Sequence, residues 1–261
     1  NCQYMSNSSP GLVQGFLNLE PKVVYGRYAY YYGWIQSYDL SGTNIDCFSS
    51  LGKGDSYSPS FALSAANTST NGYACRGPAS IGEAGQELQF PSVDTAGVRI
   101  RRDVYVDPDG RFARSYDEFE NTSNVPISYE VQVSVQAATY YTQLTETVAL
   151  SAVQGRYLAV GLSGLGLAAS SVFCSASPTA NCPTAAADSS ILNGLVPLTW
   201  TIIIPAGEKR ALVNYVVLRD SSNASEVVPM SDALVAGSAA NMFVGLSSEE
   251  RARVVNFVAT P

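Results

Sequence analysis

The chain has 261 residues, 14% of them charged, with a formal net charge of −7 and no histidine. Nucleic-acid binding needs a basic stripe, which this acidic chain lacks. The absence of histidine excludes the usual serine-hydrolase triad and removes the commonest metal ligand. No apolar run reaches the ~20 residues of a membrane-spanning helix. We therefore expect no nucleic-acid partner, no membrane span and no zinc site.

Residues 1–26 are predicted to be either an N-terminal arm or the first strand of the domain. Residues 11–26 are apolar and weakly charged, so they could pair within their own sheet or add to a neighbouring subunit. The chain begins with Asn1 and Cys2 rather than with Met. We expect that a secretory signal has been removed and that the protein is extracellular or at the cell surface.

Residues 27–96 combine an aromatic strand with a loop-rich stretch. In the block RYAYYYGWIQSYDL, Tyr30, Tyr32 and Trp34 share one face of a strand with period two. Aromatic faces stack on sugar rings and also form protein interfaces. These three residues are therefore candidates for contact with a glycan or a second subunit, and a strand buried in the core is the alternative.

The five cysteines indicate disulfides and hence export. Cys174 and Cys182 bracket a loop of turn-forming residues, which a disulfide would close easily. Cys47 and Cys75 bracket a Ser/Gly/Asn-rich stretch that a cross-link would restrain. We predict these two disulfides, although five cysteines allow other connectivities. Cys2 is then unpaired or bonded to another chain.

Four Asn-x-Ser/Thr sequons mark possible glycosylation sites, at Asn7, Asn67, Asn121 and Asn223. A chain this rich in Ser and Thr produces such sequons by chance. They are therefore compatible with a glycosylated surface protein without indicating one.

Residues 97–261 are predicted to form the body of a β-sandwich. Apolar and polar residues alternate in residues 97–106. The turn DPDG and the segment RFARSYDEFE follow, and this pattern is typical of a β-hairpin. Residues 126–136 alternate as a half-buried antiparallel strand. Residues 198–220 predict a second hairpin, with Pro-Ala-Gly at its turn. Because both faces of its first strand are apolar, we expect it to lie centrally between two layers.

One short helix is predicted near the C-terminus, within LSSEERARVVNF. Ser247 is a favourable N-cap, Glu250 completes a capping box, and Glu249 lies in the first turn where the helix dipole favours acids. The expected fold is therefore an all-β antiparallel sandwich, possibly large or two-part, with one short C-terminal helix.

The second half resembles an uncharacterised β-sandwich module that recurs in large secreted and surface proteins of bacteria. The likeness covers residues 97–257 and is carried, in this order, by RRDVYVDPDGRFARSYDEFENTSNVPISYEVQVSV, IPAGEKRALVNYVV and GLSSEERARVVNF. The resemblance implies a β-sandwich in a secreted or surface protein. It supplies no functional residues and does not extend to residues 1–96.

Acidic residues could bind calcium or catalyse glycoside hydrolysis. Asp107, Asp109 and Glu118 match three positions of a calcium loop, but Phe112 replaces the required glycine and a further acidic ligand is missing. DPDG is better explained as turn chemistry. We therefore expect no cofactor, with a looser calcium site elsewhere as the alternative. Glycoside hydrolysis needs two carboxylates at a fixed distance, which sequence does not determine.

Taken together, these features predict a non-enzymatic extracellular structural subunit. Low charge, many hydroxyls, an apolar N-terminal segment and an unpaired cysteine favour self-assembly into a filament, pilus-like fibre or layer. Strand addition and tyrosine-rich contacts would hold such a homopolymer together. The alternative is a secreted carbohydrate-binding β-sandwich, followed by a glycosidase-like enzyme that uses two carboxylates.

Overall fold

A computed structural model describes part of the chain, mainly in the second half. The described residues are 34–35, 48–51, 58–65, 80–83, 86–89, 92–95, 97–107, 109, 111–136, 146–148, 155–162, 167–185, 195–219 and 223–257. Within them, no helix is long and apolar enough to cross a membrane.

The described strands form two antiparallel sheets, which confirms the predicted all-β sandwich class. In chain order they are β1 Trp34–Ile35, β2 Phe48–Leu51, β3 Ser58–Ala65, β4 Ser80–Gly82, β5 Glu87–Gln89, β6 Val93–Thr95, β7 Val98–Val106, β8 Ala113–Asn121, β9 Ile127–Gln136, β10 Glu146–Val148, β11 Tyr157–Leu162, β12 Leu167–Val172, β13 Thr184–Ala185, β14 Leu195–Ile204 and β15 Lys209–Arg219. The helical elements are a 3-10 turn Ala224–Glu226, α1 Val228–Val235 and α2 Ser248–Arg253.

Strands from both halves of the chain contribute to each sheet. The six-stranded sheet has the order β1-β2-β3-β9-β14-β13, and the nine-stranded sheet has the order β10-β11-β12-β15-β8-β7-β5-β4 with β6 beside β7. Strand β3 pairs with β9, and β5 pairs with β7. Residues 27–96 therefore supply strands to the same sandwich as residues 97–261.

The core between the two sheets is built from every second residue along their strands, the residues whose side chains face the opposite sheet. Phe119 of the nine-stranded sheet lies 5.9 Å from Tyr129 of the six-stranded sheet, measured between ring centroids. Trp200 and Ile202 of β14 are buried in the same core, and each is 1% exposed. Burying rings and branched aliphatic side chains on both inner faces is the main favourable term that holds two sheets together.

This interior also contains polar groups. Arg102 and Asp117, directly opposite each other on β7 and β8, form a buried ion pair with 2.9 Å between Nη2 and Oδ2. Asn214 of β15 lies opposite Ser115 of β8, and neither side chain has a hydrogen-bond partner among the described residues. The inward face of β7, β8 and β15 is therefore not purely apolar.

The first predicted hairpin is confirmed, and the second is wrong. Strands β7 and β8 pair along their whole length, from Val98 opposite Asn121 to Val106 opposite Ala113. Strands β14 and β15 instead lie in different sheets, where β14 pairs with β9 and β15 pairs with β8. The Pro-Ala-Gly turn therefore crosses between the sheets. Alternation shows that two strands exist, but a short turn can join neighbours in one sheet or opposite layers.

The outward face of β14 is also exposed, which corrects the expectation that this segment lies centrally between two layers. Ile203 is 61% exposed, and Thr201 on the same face is exposed as well. An apolar side chain on a strand is therefore not by itself evidence that the face is covered.

A third layer covers the outer face of the nine-stranded sheet. We call residues 223–257 the C-terminal cap. Tyr215 of β15 packs edge-on against Phe257 of the cap at 5.0 Å, and Leu234 and Leu246 join the same buried cluster. Asn256 accepts from the backbone of Val213 and donates to its carbonyl. The cap is therefore fixed by apolar packing and by hydrogen bonds to the strand beneath it.

The cap contains two helices rather than the one that was predicted. Helix α2 begins with the expected capping box, since Ser247 Oγ accepts from the Glu250 backbone and Glu250 Oε2 accepts from the Ser247 backbone. Helix α1 has eight residues, Pro229 in its first turn and no side-chain N-cap. These local signals are weak, so its formation depends on packing against the sheet.

Candidate functional site

Several candidate residues lie outside the described part of the chain. These are Cys2, Cys47, Cys75, Asn7, Asn67, Tyr30 and Tyr32, together with residues 11–26. Trp34 is described by its backbone alone, in β1 at the edge of the six-stranded sheet. Their predicted roles as disulfide partners, glycan acceptors, contact residues or an arm stay predictions.

The predicted disulfide between Cys174 and Cys182 is present, with 5.4 Å between their Cα atoms. The loop that it closes lies beside the cap and the six-stranded sheet. The Asn181 backbone donates to the Val255 carbonyl of the cap, and Trp200 Nε1 of β14 donates to the Asn181 carbonyl. The loop thus links the cap to the six-stranded sheet.

The two described sequons have the same local turn but different access. In each, the asparagine Oδ1 accepts from the backbone of the residue two positions later, Ser123 for Asn121 and Ser225 for Asn223. Asn121 is fully buried, and its Nδ2 donates to the carbonyls of Val125 and Ile204 at 2.7 and 3.0 Å. A glycan on Asn121 is incompatible with this packing, whereas Asn223 is exposed.

The acids that resemble a calcium loop are paired with arginine. Both carboxylate oxygens of the buried Asp107 accept from Arg111, at 2.7 and 2.9 Å, and Asn241 donates to one of them. Asp109 lies 3.3 Å from the same guanidinium. Among the described residues, no group of three acidic or cysteine side chains is arranged to hold a metal ion.

A charged network lies where helix α2 meets the nine-stranded sheet. Glu118 of β8 is at its centre and is only 3% exposed. Lys209 approaches one carboxylate oxygen at 2.9 Å, and Arg253 of α2 approaches the other at 2.8 Å. Arg101 of β7 reaches Glu250 of α2 at 2.7 Å. Opposite charges on β7, β8 and β15 therefore meet charges of the cap.

The ionisation of this network follows its surroundings. Burial alone would raise the pKa of Glu118, but the hydrogen bonds from Lys209 and Arg253 and the charge of Arg101 hold it below its ordinary value. Burial raises the pKa of Asp103 to about 7 against the attraction of Arg101. Asp103 Oδ1 has no hydrogen-bond partner among the described residues.

Glu87 and Arg114 extend the network toward the cap loop. Their ion pair is buried, with 3.2 Å between Glu87 Oε1 and Arg114 Nη2. Arg114 also donates to the carbonyls of Met242 and Val244, and its guanidinium lies 4.9 Å from the centre of the Tyr105 ring. Burial raises the pKa of Glu87 despite the charge of Arg114. Arg114 therefore fastens the cap loop to the sheet, and Glu87 is its buried counter-ion.

Sequence reasoning missed this network, although a signal was present. Arg101 stands opposite Glu118 in the β7–β8 register, and Arg99 stands opposite Glu120. Once the DPDG turn fixes the hairpin, this alternation places opposite charges on one face. Nothing in the local pattern indicates that helix α2 would cover that face.

The outer face of the six-stranded sheet presents a different surface. We define the open face by Ser128 and Glu130 of β9 and Thr199, Thr201 and Ile203 of β14. Thr201 stands opposite Glu130, and Ile203 stands opposite Ser128. Four of the five side chains are exposed and Thr199 is half-buried. Hydroxyls, one carboxylate and one aliphatic side chain therefore share a rigid, solvent-facing surface.

Comparisons with known proteins define no family for this chain. No family model matches it, and no curated protein matches it. The similar solved structures include a candidate kojibiose phosphorylase from the human microbiome (11% identity, TM-score 0.41), a polysaccharide lyase (12%, 0.36) and a heparan sulfate lyase from Pedobacter heparinus (13%, 0.39). The matches cover 57%, 64% and 62% of this chain but only 20%, 27% and 24% of those proteins.

These likenesses are partial. The chain spans between a fifth and about a quarter of the length of the proteins it matches. At such identities and TM-scores, they transfer neither activity nor site residues. A functional hypothesis must therefore depend on the chain's own residues.

Proposed function

We propose that the chain is a non-catalytic, carbohydrate-binding β-sandwich module of an exported protein, and that the open face is its binding surface. The proposal depends on one observation: the outer face of the nine-stranded sheet is covered by the cap, whereas the open face of the six-stranded sheet is exposed. The nine-stranded sheet has the six-stranded sheet on one side and the cap on the other, whereas Glu130, Thr201 and Ile203 are exposed.

The open face has the chemistry that a sugar chain requires. A carboxylate such as that of Glu130 accepts hydrogen bonds from sugar hydroxyls, and threonine hydroxyls both donate and accept. Ile203, 61% exposed, offers an apolar contact for the C–H groups of a sugar ring. Because these side chains project from paired strands, little ordering entropy is lost on binding.

The strand that contains Trp34 belongs to the same sheet as the open face. Strand β1, which contains Trp34, lies three strands away from β9 in the six-stranded sheet. Neighbouring strands are about 4.8 Å apart, so the backbone of β1 is roughly 14 Å from that of β9. This is within the span of a short oligosaccharide. We propose that Trp34 provides a stacking contact for it.

Strand addition at a sheet edge is the alternative. Within the described part of the chain, the terminal strands β1, β4, β10 and β13 have two or three residues each, so these stretches offer few main-chain groups to an added strand. Assembly through residues 11–26 concerns a segment outside the described residues and stays a prediction.

A glycan array followed by titration tests the proposal. We expect the folded chain to bind at least one oligosaccharide on the array. With that oligosaccharide, Glu130→Gln together with Thr201→Val should weaken binding about tenfold or more, because the first change removes the charge and one acceptor oxygen and the second removes a hydroxyl. Glu226→Gln, an exposed change on the cap, should leave binding unchanged. A folded chain that binds no glycan, or binding that survives the double change, would overturn the proposal.

A further inference from the structure

The Cys174–Cys182 disulfide has one buried and one exposed end. Cys174 is fully buried, whereas Cys182 is exposed. Arg156, just before β11, donates Nη1 to the Cys182 sulfur at 2.9 Å, to the Cys174 sulfur at 3.4 Å and to the Ser175 carbonyl. A permanent positive charge therefore lies against both sulfur atoms.

This arrangement matches the requirements of thiol–disulfide exchange. A thiolate attacks an accessible sulfur, and the S–S bond breaks as the other sulfur leaves with the electron pair. A nearby guanidinium stabilises a thiolate more than it stabilises a neutral disulfide. Access selects Cys182 as the sulfur that is attacked, and Arg156 is placed to stabilise the Cys174 thiolate that leaves.

We propose that the Cys174–Cys182 disulfide is a reactive exchange site for an external dithiol, with Arg156 as the residue that stabilises the leaving thiolate. The first thiolate of the reductant forms a mixed disulfide with Cys182. Its second thiol then displaces Cys182 and closes the reductant's own disulfide. Two electrons pass to the protein, and both cysteines end as thiols after protonation.

The loop between these cysteines gives the reaction a structural consequence. The backbone of Ser175 donates to the Asn256 carbonyl at 3.0 Å, and that of Ala176 donates to the Val235 carbonyl at 2.8 Å. The Asn181 backbone donates to the Val255 carbonyl at 2.8 Å. Reduction frees the loop from its cross-link, so the attachment of the cap is expected to loosen while the β7–β8 hairpin stays intact.

Trapping of the mixed disulfide tests the direction of attack without any variant. The folded chain is treated with glutathione, free thiols are blocked by alkylation at acid pH, and peptides are identified by mass spectrometry. We expect the glutathione adduct on Cys182. An adduct on Cys174, or no adduct and no reduction while the chain stays folded, contradicts the proposal.

Arg156 variants test the electrostatic contribution. Arg156→Met keeps an unbranched side chain but removes its charge, and we expect half-reduction to need an about tenfold higher ratio of reduced to oxidised dithiothreitol. Arg156→Lys should recover part of this shift. Arg210→Met, which removes a partly exposed arginine paired with Glu208, is the matched control. An unchanged midpoint in Arg156→Met, with Arg156→Lys identical to it, overturns the role of Arg156.

Hydrogen exchange tests the consequence of reduction. After selective reduction, we expect faster amide exchange in residues 174–182 and 235–257 and unchanged exchange in β7 and β8. Unchanged exchange throughout, or uniformly faster exchange, contradicts a local release of the cap.

Discussion

The outer face of the nine-stranded sheet and the open face of the six-stranded sheet both carry charged and hydroxyl-bearing side chains at alternate strand positions. Their environments differ. Glu118 on the first is 3% exposed beneath helix α2, whereas Glu130 on the open face is exposed. The same residue types therefore fasten a covering layer in one place and face solvent in the other. A structural face and a candidate binding face therefore differ in whether another layer of the protein covers them, and not in their residue types.

The largest predicted difference between the faces concerns the buried ion pair of Arg114 and Glu87. Arg114→Met leaves the Glu87 carboxylate buried without its cation, and we expect the free energy of unfolding to fall by about 3–5 kcal/mol. Urea denaturation at pH 7 measures this change. Glu130→Gln on the open face should change stability by less than about 0.5 kcal/mol. Equal costs on the two faces would remove the distinction.

Loss of the Cys174–Cys182 disulfide should weaken the molecule by an intermediate amount. Replacing both cysteines with alanine frees a short loop in the unfolded chain, which corresponds to about 2–3 kcal/mol of stability. Denaturation of this double variant beside the oxidised parent measures the loss. A variant as stable as the parent would show that the cross-link does not restrain this part of the fold.

Asp103, beneath the cap, should make the free energy of unfolding depend on pH. Its pKa is raised to about 7 by burial, so the folded chain binds a proton that the unfolded chain has already released at neutral pH. The stability contribution of this group therefore falls as pH rises from about 4 to about 7. We expect Asp103→Asn to be more stable than the parent, with an advantage that grows by on the order of 2 kcal/mol between pH 5 and pH 8.

Denaturation at a series of pH values tests this dependence. The exposed Asp94 lies on the same sheet, and Asp94→Asn is the matched control for loss of one carboxylate outside the buried network. An Asp103→Asn advantage that stays constant across the range would contradict the assignment.

Much of the local structure could be predicted from the sequence. The alternation of residues 97–106, the DPDG turn and the strand pattern that follows it predict the β7–β8 hairpin, because two alternating segments joined by turn residues favour antiparallel pairing. The Ser247–Glu250 capping box predicts the start of helix α2, since both hydrogen bonds are local.

The long-range arrangement could not be predicted in the same way. The pattern of residues 198–220 does not encode whether β14 and β15 share a sheet, which depends on strands far away in sequence. The Asn121 sequon illustrates the same limit, because its burial depends on carbonyls that include that of Ile204, 83 residues away. Helix α1 likewise depends on tertiary packing rather than on its own sequence.

Mapping the carbohydrate on the protein surface by NMR tests most directly whether the open face is the binding surface. The isotopically labelled chain is titrated with the oligosaccharide that gives the strongest array signal. We expect chemical shifts to change at Glu130, Thr201 and Ile203 of the open face and to stay unchanged through the cap, residues 223–257. Shift changes confined to the cap and the charged network beneath it would show that the open face is not the binding surface.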